Sequence, residues 1–231
     1  IVSTLSQMKK TFQGLSFNGV CVQPAGHVRS LGVLFDPQLK MEKHVNAICR
    51  SCYYFLRGIA RIRPCLDQTT AETLIHSMVY SRLDYCNSLF SGISKYLVQR
   101  LQRVQNFAAR VVCKIKFDAH VTPYLRQLHW LPVCKRIQFK VLLLVFKVMN
   151  GIAPQYLCDL LVPYLPTRQL RSSDKKLLKV PATRLKTFGD RAFTLIGPRM
   201  WNALPIELRN VTSLEVFKKK LKTHLFIEYF S

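Results

Sequence analysis

The sequence predicts a mainly α protein with short β hairpin or edge strands at its N-terminal end. Three observations carry this. Turn and strand signals crowd the first 38 residues, an apolar period of about 3.6 takes over from Lys40, and 49% of the 231 residues are hydrophobic. That length and apolar content suit one large domain or two small ones with a real core.

The elements follow in order. Leu15-Ser-Phe-Asn-Gly-Val-Cys-Val-Gln23 predicts two short strands around Asn18-Gly19, because Asn-Gly accepts the positive φ of a tight hairpin. Val28–Phe35 reads as a third strand, closed by Asp36-Pro37. Over residues 41–63, helical projection places Val45, Ile48, Cys52, Phe55, Leu56, Ile59 and Ile62 on one face. Lys43, Arg50, Arg57 and Arg61 fall on the opposite face, and Pro64 ends the helix. Asp67 is an N-cap candidate for a helix running to about Tyr85, with Thr69-Thr-Ala-Glu72 as a competing capping box. A helix over about 95–116 has Leu97, Leu101, Val104, Ala108, Val111, Val112 and Ile115 as its apolar arc, bordered by Arg100, Arg103, Arg110 and Lys114. A short helical turn near 121–127 and a long apolar helix near 133–149 come next, the latter stopped by Asn150-Gly151 and Pro154.

Prolines 163, 166 and 181 mark residues 163–187 as a basic connector. Residues 168–191 hold eight basic and two acidic side chains, including Arg171, Lys175, Lys176, Arg184, Lys186 and Arg191. From Gly189, the segment Gly-Asp-Arg-Ala-Phe to Leu204 projects as a docked helix, with Asp190 as its N-cap, Trp201 as an anchor and Pro198 as a kink or break. A last helix begins at about Ser213 behind the capping box Thr212-Ser-Leu-Glu215, with Leu214, Phe217, Leu221 and Leu225 as its stripe.

Charge narrows the functional classes. Lys and Arg number 35 against 12 Asp and Glu, a net charge of +23, which points to a polyanionic partner. The apolar run Val141–Phe146, bounded by Lys140 and Lys147, is too short for a membrane span. The eight cysteines lack a disulfide-framework spacing and read as reduced thiols. The start at Ile1, without a signal pattern, reads as a cut from a longer polypeptide.

The acids are scattered. There is no Asp-Asp or Asp-x-Asp pair for a two-metal site, and no phosphate-binding glycine loop. His44, Cys49 and Cys52 form a His-x4-Cys-x2-Cys set that lacks a fourth ligand, so it reads as core and surface thiols rather than zinc. His129 and Cys134 form a pair with no third orienting group, and His120 has no nucleophile partner.

Several blocks resemble one family. Val28-Arg-Ser-Leu-Gly-Val-Leu-Phe-Asp36, Ala47–Arg57, Ser81-Arg-Leu-Asp-Tyr-Cys-Asn87, Arg100–Arg110, Leu128-His-Trp-Leu-Pro-Val133, Leu160–Tyr164, Gly189–Phe193 and Phe217–Lys222 look like the C-terminal part of the reverse transcriptase of jockey-like non-LTR (LINE) retrotransposons. The resemblance spans about residues 15–227, and its specificity lies in the order and spacing of the blocks. It implies the end of the palm over 1–38, a thumb over 39–117, and a basic helical region beyond the thumb over 118–231. It matches Leu31-Gly32 to the primer-grip strand. The implied activity of the whole polymerase is target-primed reverse transcription, with Mg2+ held by palm carboxylates outside this segment, so this chain alone is expected not to be an enzyme. The implied partners are template–primer RNA and DNA and the palm and fingers of the same polyprotein, with no membrane; nucleus and cytoplasm are the compartments expected for the parent. Some related groups carry a Cys-Cys-His-Cys knuckle after the thumb, and that spacing is missing here, so no cofactor or metal is expected. A domesticated or pseudogene-derived fragment, acting as a scaffold or without function, is the alternative.

Within this reading Lys43, Arg50, Arg57 and Arg61 form a phosphate track with no acid to balance it. Arg100, Arg103, Arg110 and Lys114 either join that track or cover the core with their stems.

Overall fold

The computed structural model describes residues 15–22, 25–164, 176–182 and 189–231. The chain is mainly helical, and among the described residues two short hairpins precede the helices. In the first hairpin, β1 (Leu15–Phe17) pairs antiparallel with β2 (Val20–Val22), and Asn18 and Gly19 both take positive φ at the turn. The expected single strand at 28–35 is instead a second hairpin, β3 (Val28–Ser30) against β4 (Val33–Phe35). The chain reverses at Leu31-Gly32, with φ of 45° and 82°. Gly32 adopts that geometry without a Cβ penalty. Leu31 is held there by the Tyr85 hydroxyl, which donates to its carbonyl at 2.6 Å.

The Asp36 carboxylate then accepts from the backbone N–H of Gln38, Lys40 and Met41 at 3.1, 3.0 and 2.7 Å. This closed turn launches α1 (Glu42–Ile62), whose cap residue Met41 is left-handed and buried. The apolar face of α1 buries Val45, Ile48, Cys52, Leu56 and Ile59, while Ile62, expected with them, is 49% exposed at the helix end. Asp67 caps α2 (Gln68–Ile75) by accepting from Thr70 N at 2.7 Å. The competing box does not form; Glu72 accepts from Gln68 instead. The helix continues through a π turn at His76–Tyr80 into α3 (Ser81–Leu83).

Helix α4 (Lys95–Cys113) packs along α1 and ends at left-handed Lys114. Then come α5 (Thr122–Gln127), α6 (Val133–Met149) and α7 (Gln155–Cys158). In the C-terminal part lie α8 (Phe193–Asn202), α9 (Ile206–Arg209) and α10 (Leu214–Phe230). Asp190 does not cap α8. It sits in a 3-10 turn at Gly189–Arg191, and Ala192 occupies the cap. Nor does Pro198 split the helix, which runs through it as one element. Ser213 precedes α10 without a side-chain cap bond, and Glu215 pairs with Lys218 at 2.7 Å rather than closing the expected box.

The described apolar residues form two cores. The first joins α1, α2, α4 and the start of α6, and takes in Val121, Leu125 and Trp130 from beyond the expected thumb boundary. The second gathers Leu142, Val145 and Phe146 around Trp201, Phe217, Leu221 and Leu225. Phe146 stacks on Phe217 with ring centres 4.1 Å apart. Because α6 supplies Val133 and Ile137 to one core and Leu142 onward to the other, it ties the two together. Among the described residues, no helix is long and apolar enough to cross a membrane.

Candidate nucleic-acid interface

The basic row predicted on α1 is exposed along its whole length: Lys43, Arg50, Arg57 and Arg61 all face solvent. Spacings of seven, seven and four residues put them on one ridge of a helix whose opposite face is fixed in the core. None of the four forms an ion pair among the described residues. Lys43 Nζ lies 3.1 Å from His27 Nδ1.

The second predicted row divides. Arg100 is half-buried, donates to Asn46 Oδ1 and lies 5.8 Å from the Tyr96 ring centre, so it fastens α4 to α1. Arg103 is exposed, and Lys114 is exposed at the helix end. Arg110 is half-buried, and its Nη2 donates to Ala119 O at 3.2 Å. Arg57, Arg103 and Arg110 nevertheless meet across the α1–α4 groove, a space of about 560 Å³ also lined by Tyr53, Asn106, Phe107 and Phe117. Packing of the two helices thus combines Arg57 of the first row with Arg103 and Arg110 of the second into one basic, aromatic-lined surface. Its chemistry suits phosphate binding: guanidinium forks rise from a packed helix pair, and that of Arg110 is pinned by Ala119 O.

Other predicted site residues lie elsewhere. Leu31-Gly32 form the hairpin tip, with Leu31 88% exposed. Lys176 is exposed, and its carbonyl accepts from Trp201 Nε1 at 2.8 Å. Arg191 is half-buried in a mostly apolar cleft with Phe35, Leu39, Ser91, Leu157 and Phe193. Its stem crosses Gly92, where φ is +74° and a Cβ would come within 2.6 Å of Arg191 Cγ. Burial lowers the Arg191 pKa, and the Asp36 charge opposes that shift. Arg199 pairs with Asp190 at 3.5 Å. Arg171, Lys175, Arg184 and Lys186 lie outside the described residues.

Among the described residues, no three His, Cys, Asp or Glu side chains are placed to hold a metal ion. His44 is buried beside Phe90, and its Nδ1 accepts from Leu34 N at 3.4 Å. Cys52 lies in the core with its thiol toward Val79 O, and burial pushes its pKa up to about 12. Cys134 is exposed, and His129 packs against Phe226.

Sequence reasoning missed the polar residues that hold this surface in place. Arg63 is buried and donates to Leu66 O, Val111 O and Val112 O at 2.6, 2.9 and 2.7 Å. Arg82 lies 4.3 Å from the Phe55 ring centre and donates to Ser51 Oγ and Met78 O. Arg136 grips Asp84 with two nitrogens and lies 4.4 Å from the Tyr80 ring centre. Gln105 Nε2 donates to the Tyr80 hydroxyl and Leu131 O. Burial raises the Tyr80 phenol pKa. Several of these lie in the blocks Ser81–Asn87 and Leu128–Val133, whose spelling therefore records packing and polar satisfaction. The available signal was a charged residue on or beside an apolar helical face, as at Arg63 and Arg136.

No protein-family model, curated protein or solved structure matches the chain.

Proposed function

We propose that this chain is the thumb and C-terminal part of a non-LTR retrotransposon RNA-directed DNA polymerase, and that its α1–α4 surface holds the phosphate backbone of a template–primer RNA–DNA duplex. The observation that carries the reading is the α1 ridge of one sign, which has no ion-pair partner among the described residues and joins Arg103 and Arg110 across the groove. Each phosphate neutralised releases condensed counterions, so such a ridge gives strong, salt-dependent and sequence-independent binding. The order of the family-like blocks and the exposed Leu31-Gly32 tip support the polymerase origin. The chain has no Asp-Asp pair, so polymerisation belongs to a palm supplied elsewhere in the parent. Mg2+ would be held there too.

The test is the triple change Lys43→Gln, Arg50→Gln and Arg57→Gln, with hybrid binding followed by fluorescence anisotropy over about 50–200 mM salt. Loss of three phosphate contacts should reduce the slope of log K against log salt by about 2–3. An unchanged slope refutes the proposal.

A further inference from the structure

Phe117 is 83% exposed, second only to Leu31 among the large hydrophobics of the described residues. A lone exposed apolar side chain needs no explanation, but this one is held in a built setting. Left-handed Lys114 ends α4, and Ala119 N donates to Lys116 O at 3.3 Å to close the turn that carries Phe117. Arg110 pins that turn through Ala119 O, and its guanidinium carbon lies 5.1 Å from the Phe117 ring centre. The ring is therefore held on a cation on one side and open to solvent on the rest of its surface. Arg110 Nε is buried with no hydrogen-bond partner. Arg57 and Arg103 complete the rim, and the rings of Tyr53 and Phe107, 5.9 Å apart, form the wall.

A fixed aromatic platform inside a ring of guanidinium groups matches one ligand chemistry: an aromatic base joined to phosphates. A duplex offers only its backbone to such a groove, because its bases are stacked and paired. An unpaired nucleotide offers both parts, the base to the ring and the flanking phosphates to the arginines. We infer that the Phe117 platform and the Arg57–Arg103–Arg110 groove capture an unpaired nucleobase, so that the chain binds single-stranded nucleic acid next to a duplex more tightly than the duplex alone. This rests on the backbone-binding reading of α1 and α4 and adds a distinct subsite to it.

The experiment uses the full chain and three probes of equal duplex length: a blunt RNA–DNA hybrid, the same hybrid with a short single-stranded overhang, and that overhang made abasic. The overhang should bind roughly 5- to 150-fold more tightly than its abasic counterpart, the range expected for one base stacked on an aromatic ring. Phe117→Leu should abolish that preference, weakening overhang binding several-fold more than blunt-hybrid binding, and Phe117→Tyr should keep the preference. Equal binding of normal and abasic overhangs by the unaltered chain overturns the inference without reliance on any variant. So does a Phe117→Leu effect of the same size on blunt hybrid. A Phe117 change that leaves all nucleic-acid binding untouched also overturns it. Failure of the backbone reading is a separate result: the unaltered chain would show no salt-dependent affinity for blunt hybrid.

Discussion

Arg63 offers the sharpest test of how the basic surface is positioned. It is 7% exposed and directs three nitrogens at three backbone carbonyls. Two of these, Val111 O and Val112 O, lie in the last turn of α4, where carbonyls lack helical partners. Arg63→Met keeps the length of the stem but leaves those carbonyls buried and unpaired and removes a cation from a helix C-terminus. Hydrogen bonds to a charged group contribute about 1.5–3 kcal/mol each, and they are not additive when they share one donor group. The loss should therefore be about 3–5 kcal/mol. For a chain of this size that corresponds to a fall in Tm of roughly 6–20 °C. Urea unfolding followed by circular dichroism would show the midpoint falling with an unchanged slope. Arg63→Lys, which keeps the charge but not the fork, should lose about half as much. Arg61→Met, two residues earlier and exposed, should change stability by less than about 0.5 kcal/mol. A loss below about 1 kcal/mol for Arg63→Met would refute the claim that this residue ties α1 to the end of α4.

Three further outcomes follow from the same packing. Asp84→Asn should cost about 1.5–3 kcal/mol in the same unfolding assay, because Arg136 loses its two-nitrogen grip between the motif Ser81–Asn87 and α6. Cys52, with a folded pKa raised from 9.0 to about 12, stabilises the fold fully below about pH 9 and loses that contribution as pH climbs toward 12, since the unfolded thiol ionises first. The stability difference between the unaltered chain and Cys52→Ala should therefore shrink by up to about 1.4 kcal/mol per pH unit above pH 9. In thiol labelling at neutral pH, exposed Cys65 and Cys134 should react at once, and buried Cys49 and Cys52 only on unfolding; equal rates would contradict the core assignment.

Periodicity alone placed α1, α4, α5 and α6 to within a few residues, because amphipathic helices bury one face and repeat it every turn. It also separated Lys43, Arg50, Arg57 and Arg61 from the core, since the same projection that buries Leu56 exposes Arg57. Local turn chemistry identified the Asn18-Gly19 hairpin but not the one at Leu31-Gly32. Leucine disfavours positive φ, and a tyrosine 54 residues away holds it there. The α8 cap falls at Ala192 rather than at the expected Asp190. Trp201 docks through Lys176 O, a contact remote in sequence that helps fix where the element sits.

The sequence by itself determined the helical class, the ridge of one charge sign and the absence of a carboxylate pair, because each depends on residue type and spacing along one element. Only the tertiary structure decided that Arg57 shares a groove with Arg103 and Arg110, that Arg100 is spent on Asn46, and that Phe117 stands over a guanidinium. Those relations join residues from different elements. Their distances are set by core packing and by polar anchors such as Arg63, which no pattern along a single helix encodes.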